Sequence, residues 1–159
     1  MNRSQYLKQM NEARRLALEV SFDDALQLLD ELISANPTKV DPLLMKGNII
    51  AMFASDDRIS TSEHRALDAE REKCIRKALK LKPTCVTALI DMADLLAENT
   101  DDPNEKTFAR AVKYYDRASA LLKAGKPWLS LKDELEELEI SKGIFMAKFQ
   151  LEKWHNQAL

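Results

Sequence analysis

The sequence contains few residues that break helices, with only three glycines and five prolines in 159 residues. So few breakers exclude a β-sandwich with many tight turns and leave room for long helices. Hydrophobic residues make up 45% of the chain and charged residues 31%, a balance that argues against disorder and is typical of a folded globular protein. Since Ala, Leu, Glu and Lys dominate and all favour helices, we expect an all-α protein with one domain over residues 1–159.

An excess of charge of one sign and long hydrophobic runs are also missing. The formal net charge is −2, which gives no reason to expect nucleic acid or an acidic membrane as a partner. The polar N-terminal residues contain no apolar signal core. No run approaches the ~18 apolar residues of a membrane span. These observations favour a cytoplasmic protein that binds neither nucleic acid nor membrane.

The residues that usually carry chemistry are sparse. Cys74 and Cys85 lack metal-ligand spacing, and we interpret them as buried free thiols, with one disulfide as the alternative. The only histidines, His64 and His155, have no second ligand at a suitable spacing. No Gly-rich phosphate loop or nucleophile motif occurs. The acidic run at residues 133–139 opens a predicted helix and complements its dipole, so we interpret it as a solvated face. The sequence therefore predicts no enzyme activity, no cofactor and no metal.

Apolar residues recur at spacings of three and four along most of the chain, which indicates amphipathic helices. A break at Val20-Ser21 ends the first helix, and Pro37 and Pro83 stop two later ones, because the residue before a proline avoids helical geometry. The pattern predicts seven helices, over about 3–19, 22–35, 40–54, 60–81, 84–98, 103–123 and 127–156.

Three of the predicted helices begin with recognisable caps, one of them with Asp102-Pro103-Asn104-Glu105, which combines a cap, a proline and an acid at N3. Ser60-Thr61-Ser62-Glu63 has the S-x-x-E form of a capping box, which opens the long fourth helix. Asp41-Pro42 offers an N-cap followed by a first-turn proline for the third helix. The polar stretch at 55–59 between these helices is predicted to be a loop. Short loops of this kind favour antiparallel pairing of successive helices.

The second helix of each predicted pair repeats a small-x3-large motif. The three copies are Ala25-x3-Leu29 before Pro37, Arg71-x3-Ile75 before Pro83, and Ala111-x3-Tyr115 before Lys123. This pattern resembles the tetratricopeptide repeat (TPR), a helical hairpin of about 34 residues. The departures are a longer second hairpin and Arg71, which stands where a small residue is usual.

The TPR resemblance implies a right-handed superhelix of antiparallel helix pairs. The hairpins would span about 3–37, 40–83 and 84–123, with a C-terminal capping helix at about 127–156. Small residues would let paired helices approach closely, and larger ones would fill the space between hairpins. The small set is Gly47, Ala93, Ala25 and Ala118, and the large set is Leu29, Ile75 and Tyr115.

In TPR proteins the first helix of each pair lines a concave groove that binds a protein or peptide. The residues that this resemblance places there are Leu7, Met10, Asn11, Arg14, Leu44, Met45, Asn48, Met52, Ile90, Asp91, Asp94 and Glu98. Asp91 and Asp94 would repel the terminal carboxylate that chaperone-binding members hold, so we expect an amphipathic segment with basic edges. The alternative is that the apolar members of this set only pack on neighbouring helices.

The predicted C-terminal helix carries two apolar stripes on opposite sides. One stripe would cap the last hairpin, and the other would be a second interface, formed by Ile140, Ile144, Leu151 and Trp154. Covering that stripe would require a partner helix or a homodimer, unless the helix bends near Gly143 and folds onto its own domain. The sequence thus favours an adaptor or chaperone-like binding module, and an assembly protein that self-associates is the alternative. A helical-repeat RNA binder would need a basic stripe, which the predicted groove lacks.

Overall fold

The computed structural model describes residues 1–98 and 105–124, together with Ile140 and Gly143. These residues form helices and no strand, so the predicted all-α class is confirmed for them. The helices are α1 (Arg3–Leu18), α2 (Phe22–Ala35), α3 (Asp41–Ala54), α4 (Thr61–Leu81), α5 (Val86–Glu98) and α6 (Glu105–Lys123). The described part of the chain thus has six helices rather than seven. The seventh prediction, at about 127–156, lies outside the described residues except for Ile140 and Gly143, which are both helical.

Side-chain caps fix the starts of two helices. At α4 the Ser60 hydroxyl accepts the backbone N–H of Glu63 at 3.2 Å, and the Glu63 carboxylate accepts the backbone N–H of Ser60 at 2.9 Å. The predicted capping box is therefore confirmed. An equivalent box opens α1, where Asn2 and Gln5 exchange the same two bonds. Each box pairs two backbone N–H groups that would otherwise lack a partner inside the helix.

The predicted cap of α3 is wrong by one residue. Val40 is the N-cap, Asp41 is already the first helical residue, and no side chain caps the helix. The cause is that the backbone carbonyl of Val40 accepts the N–H of Leu44 at 3.1 Å, which starts the helical ladder one residue earlier. Asp41 still lies in the first turn, where its negative charge complements the helix dipole.

The break after α1 is confirmed and has a defined geometry. The N–H of Val20 donates to the carbonyl of Ala17 at 3.0 Å, and the N–H of Ser21 donates to the carbonyl of Leu16 at 2.9 Å. These two bonds form a Schellman motif, whose left-handed position is usually glycine. Val20 occupies that position with φ of 65°, which is costly for a β-branched residue.

The chain divides into two compact units, Met1–Pro83 and Thr84–Leu159, and the single domain expected over residues 1–159 stays a prediction. In the first unit α1 packs against α2, α2 against α3 and α3 against α4, and α1 also touches α3. Ala25 and Leu29 of α2 are completely buried at the predicted small and large positions. Phe22 and Phe53 stack with ring centroids 5.1 Å apart. Buried residues of α1 and α2, together with Ile49 of α3, form one hydrophobic core in this unit.

Arg71 is accommodated by a glycine on the facing helix. Its side chain is buried, and a Cβ on Gly47 would lie 3.9 Å from its Cγ and 4.0 Å from Cγ1 of Ile75. The repeat pattern expects a small residue at position 71 of α4. Because Arg71 is large, the small residue Gly47 on α3 provides the space instead. The stem of Arg71 packs in the space that Gly47 leaves open.

A buried lysine links three helices of the first unit. The Nζ of Lys46 on α3 lies 2.7 Å from Oδ1 of Asp30 on α2 and 2.8 Å from Oε1 of Glu70 on α4. Burial by itself lowers the pKa of Lys46, but the hydrogen bonds to Asp30 and Glu70 outweigh it, and the pKa of Lys46 is raised. The hydrogen bond from Lys46 lowers the pKa of Glu70. Lys46 therefore remains charged although its side chain is buried.

In the second unit α5 packs against α6. Ala93, Ala118 and Tyr115 are buried at the positions where the repeat pattern expects small and large residues. The hydroxyl of Tyr115 donates a hydrogen bond to the carboxylate of Asp94, which joins the two helices. Gly143 lies directly against the Tyr115 ring, because a Cβ built on it would overlap the phenol. Tyr115 is therefore held from two sides.

Candidate functional site

A groove of about 560 Å³ lies between α1 and α3 in the first unit. This volume falls within the range of pockets that bind ligands. All eight residues that the sequence placed on this part of a binding surface lie around it. Its full lining is Tyr6, Leu7, Met10, Asn11, Arg14, Ala17, Leu18, Asp41, Leu44, Met45, Asn48, Ile49 and Met52. The structure brings these residues together, and their role in binding stays a prediction.

The groove has a buried floor and an exposed apolar rim. Tyr6, Met10 and Ile49 form the floor and belong to the hydrophobic core of the first unit. On the rim, Leu7 and Met52 are 49% and 42% exposed. For Met10, then, the alternative of packing against neighbouring helices holds, whereas the rim residues remain open to solvent. On α1 the buried positions 6, 10, 13 and 17 form one face, and the exposed positions 7, 11, 14 and 18 form the strip beside it.

Four polar side chains of the lining are exposed and have no hydrogen bond or ion pair to any residue within 1–98 or 105–124. The four are Asn11, Arg14, Asp41 and Asn48. Each asparagine offers an amide that both donates and accepts hydrogen bonds. Arg14 and Asp41 are the charged members of the lining, and their charges are of opposite sign. The polar capacity of the groove is therefore free to be used by a ligand.

Tyr6 and Asp41 mark the end of the groove at the start of α1 and α3. They also line a second cavity of about 380 Å³, together with Arg3 and Lys39. The ammonium group of Lys39 lies over the ring of Tyr6, 4.0 Å from the ring centroid. Burial, and secondarily the charge of Asp41, raises the pKa of Tyr6. Sequence reasoning missed Tyr6 and Asp41 as lining residues, although the four-residue spacing from Tyr6 to Met10 could have indicated a shared face.

The residues predicted on α5 do not belong to the lining of this groove. Ile90 is buried and Asp91 is half-buried in the second unit. Asp94 accepts the hydrogen bond from Tyr115, which gives its carboxylate a role in holding α5 against α6. Glu98 is exposed at the end of α5. The prediction of a ligand with basic edges rested on Asp91 and Asp94, which do not line the groove, whereas Asp41 is an acidic residue that does. The charge of the ligand therefore stays a prediction.

The proposed second interface falls mostly outside the described residues. Ile144, Leu151 and Trp154 lie there, and only Ile140 is described. Its side chain is 1% exposed within its own chain. The structure therefore assigns Ile140 to internal packing rather than to an open surface.

The described cysteines and histidine do not assemble a site. Cys74 is a buried free thiol as predicted, whereas Cys85 is a half-buried one, so the prediction that both are buried is wrong for Cys85. Burial raises the pKa of the Cys74 thiol. His64 is exposed beside Asp68 on α4. Within the described ranges, no group of three or more His, Cys, Asp or Glu could hold a metal ion. No helix in these ranges is long and apolar enough to cross a membrane.

Comparison with family models found no match, and comparison with curated proteins found no similar sequence.

Proposed function

We propose that the protein is a non-enzymatic, TPR-like binding module, an adaptor or chaperone, whose groove between α1 and α3 binds a segment of a partner protein. The observation that carries this proposal is the distribution of exposed large hydrophobic residues. Of the six in the described chain, Leu7, Leu18 and Met52 line this one groove. Large apolar side chains that cluster in a concave surface are typical of interaction sites.

The packing of the first unit supports a repeat architecture. Helices pair as the repeat pattern predicts, with α1 on α2 and α3 on α4, and α1 also touches α3. Because α1 and α3 are the first helices of successive hairpins, the surface between them corresponds to the concave side in the resemblance. The right-handed superhelix and the cytoplasmic location belong to the same proposal.

The chemistry of the lining fits a peptide segment or an amphipathic helix. Apolar side chains of the ligand would bury against the rim residues and against Met45, whose flexible thioether adapts to different shapes. The free amides of Asn11 and Asn48 would form hydrogen bonds with polar groups of the ligand. These bonds would replace the hydrogen bonds to water that both amides lose when the ligand binds. Self-association through the C-terminal helix remains the alternative from the sequence, and the burial of Ile140 does not favour it.

The proposal is tested by replacing one rim residue. Met52→Glu places a charge in the apolar groove. The unmodified chain, when immobilised and incubated with an extract of the source cell, should retain specific proteins. We expect immobilised Met52→Glu to retain none of these proteins. Leu81→Glu is the matched control, because Leu81 is 40% exposed, close to the 42% of Met52, and lies outside the groove lining. Circular dichroism should show equal helical content in all three proteins. Retention of the same proteins by Met52→Glu and the unmodified chain would contradict the proposal.

A further inference from the structure

Three of the six exposed large hydrophobic residues in the described chain lie at one end of the first unit. Leu18 ends α1, Val20 follows it in the turn to α2, and Met52 lies in the last turn of α3. Leu18 and Met52 both line the groove, and the stack of Phe22 on Phe53 holds the start of α2 beside the end of α3. The side chains of Leu18, Val20 and Met52, which we call the apolar tip, are 71%, 58% and 42% exposed.

Val20 occupies its place in the apolar tip at a cost to the fold. Its φ of 65° puts a β-branched residue in the left-handed region, at the position where a Schellman motif usually has glycine. Because most of the side chain is exposed, burial within its own chain recovers little of this cost. A side chain that is both strained and open to solvent gains the rest of its burial energy only when a second molecule covers it.

Three acidic residues border the apolar tip. Asp23 and Asp24 follow Phe22 in the first turn of α2, and Asp57 lies in the loop after α3. All three are exposed, and none of their side chains has a hydrogen bond or an ion pair to another described residue. We call Asp23, Asp24 and Asp57 the acidic rim. Its carboxylates are free to bind a cationic group of a ligand.

The other charged residues at this end of the unit do not cancel the acidic rim. Apart from Arg14, those within 12–24 and 50–58 form ion pairs with one another. They are Asp56 with Arg58, and Arg15 with both Glu12 and Glu19. Arg14 has no such partner in the described chain and lies one turn before Leu18 in the groove lining. Three unpaired carboxylates therefore outnumber one unpaired cation, and this balance attracts positive charge.

From this arrangement we infer that the apolar tip is a docking surface for a protein segment in which large apolar residues lie next to Lys or Arg. The acidic rim selects the basic residues by charge complementarity, and the apolar tip buries the apolar ones. Val20 is a contact residue of this interface, so that its burial by the partner offsets the strain of its backbone. This inference rests on the proposed function and deepens it, since it names the charge of the partner segment and the end of the groove at which the segment docks.

The test begins with short randomised peptides, displayed on phage and selected against the immobilised full-length chain. We expect the enriched peptides to combine large apolar residues with Lys or Arg. Asp57→Lys reverses one charge of the acidic rim and should weaken this basic preference. Glu31→Lys is the matched control, because it makes the same change in net charge at an exposed position of α2. Glu31 lies eight residues beyond Asp23, which is about 12 Å along the helix axis.

An enriched peptide, synthesised with a fluorophore, allows the affinity of each variant to be measured. Val20→Gly should bind the peptide about fivefold more weakly than the unmodified chain does, because an apolar contact is lost, while its midpoint of urea unfolding does not fall. Leu81→Ala removes an exposed apolar side chain outside the groove lining and should bind normally. Asp57→Lys should bind the peptide about threefold more weakly than Glu31→Lys, and added salt should reduce this difference.

The outcomes separate the inference from the proposed function. Enriched peptides without Lys or Arg, or equal affinities of Asp57→Lys and Glu31→Lys, would overturn the inference while leaving a groove binder. Unchanged affinity of Val20→Gly would overturn it as well. Peptides that bind Met52→Glu as tightly as the unmodified chain, or no enriched motif at all, would instead reject the proposed function, and the inference with it.

Discussion

The described residues of the two compact units differ in what they leave exposed. All six exposed large hydrophobic residues of the described chain belong to the first unit. In the second unit the large hydrophobic residues within 86–98 and 106–122 are buried or half-buried. The first unit also holds the groove, and three of its six exposed large hydrophobic residues line it.

The two glycines whose surroundings are described show the same difference in packing. A Cβ on Gly47, in the first unit, would make ordinary contacts at 3.9 Å and 4.0 Å. A Cβ on Gly143, in the second unit, would overlap the Tyr115 ring, whose hydroxyl is already bound to Asp94. The second unit therefore has no free space at this point, whereas the first retains room for a methyl group.

The first unit also retains features that cost stability. Val20 adopts a left-handed conformation, and the hydroxyl of Tyr6 is buried without a hydrogen-bond partner among the described residues. Each of these is unfavourable compared with an unstrained or satisfied alternative. Natural proteins commonly keep such positions because selection acts on function above a stability threshold. The first unit can therefore be stabilised by substitution at Val20 and Gly47, whereas the second has no room for an added methyl group at Gly143.

The largest difference is expected when each glycine is replaced by alanine. Gly143→Ala should destabilise the protein by about 1–3 kcal/mol, because the new methyl group displaces the Tyr115 ring. Gly47→Ala should stabilise it by about 0.5–1 kcal/mol, since alanine favours the helix and fits the space. Urea unfolding followed by circular dichroism measures both changes. Shifts in the same direction would remove the contrast between the units.

A second substitution identifies the cause of the Gly143 effect. Tyr115→Leu removes the ring that the new methyl group would meet. The double variant Gly143→Ala with Tyr115→Leu should therefore lose less stability than the sum of the two single variants. Strict additivity would mean that Tyr115 and Gly143 do not share a contact.

Local features of the fold could be predicted from the sequence, and non-local ones could not. The Ser60 capping box and the break at Val20 depend on neighbouring residues, so short motifs reveal them. The partners of Lys46 are 16 and 24 residues away, on two other helices. Nothing in a single sequence specifies such pairing. Arg71 looked like a departure from the repeat for the same reason, because the compensating glycine lies on another helix.

The candidate site shows the same limit. The repeat resemblance placed eight residues of α1 and α3 on one surface, and the structure brings these eight together around the groove, because a face is a local property of each helix. Burial along that face could not be read in advance, so Met10 on the floor and Leu7 on the rim looked equivalent. The acids of α5 were included by analogy with the repeat, and the hydrogen bond from Tyr115 to Asp94 depends on contact with α6.

A smaller effect is expected at the buried lysine. Lys46→Ala removes both ion pairs and leaves a gap, so we expect a loss of about 1–3 kcal/mol. Lys46→Met keeps the packed stem and should cost less, because Asp30 and Glu70 are partly exposed and remain solvated. Thermal unfolding of both variants at pH 7 measures the difference. Equal losses would show that the charge, and not the packing, carries the stabilisation.

The lysine also predicts a pH dependence. The hydrogen bond from Lys46 lowers the pKa of Glu70 in the folded state. The ionised Glu70 therefore contributes to the free energy of unfolding at any pH above the ordinary glutamate pKa. This contribution is lost as the pH falls through the lowered pKa of the folded state. The stability difference between the unmodified chain and Lys46→Met should therefore narrow below about pH 4.5. Since the Glu70 side chain is 40% exposed, solvent screens the pair and the narrowing should stay under about 1 kcal/mol. A difference that widens toward low pH would contradict this assignment.

The smallest effect is expected at Val20, and its direction tests whether the first unit can be improved. A β-branched residue in the left-handed region costs about 1–2 kcal/mol, and glycine there would remove that cost while adding about 0.5–1 kcal/mol of backbone entropy in the unfolded chain. Val20→Gly should therefore stabilise the protein by about 0.5–1 kcal/mol, with little burial lost because Val20 is 58% exposed. Val20→Ala, which keeps a Cβ, should gain less, and comparison of their urea midpoints separates backbone strain from side-chain size. If Val20→Gly is instead destabilising, the valine side chain makes contacts that outweigh its strain, and the first unit is closer to its optimum than its exposed surface suggests.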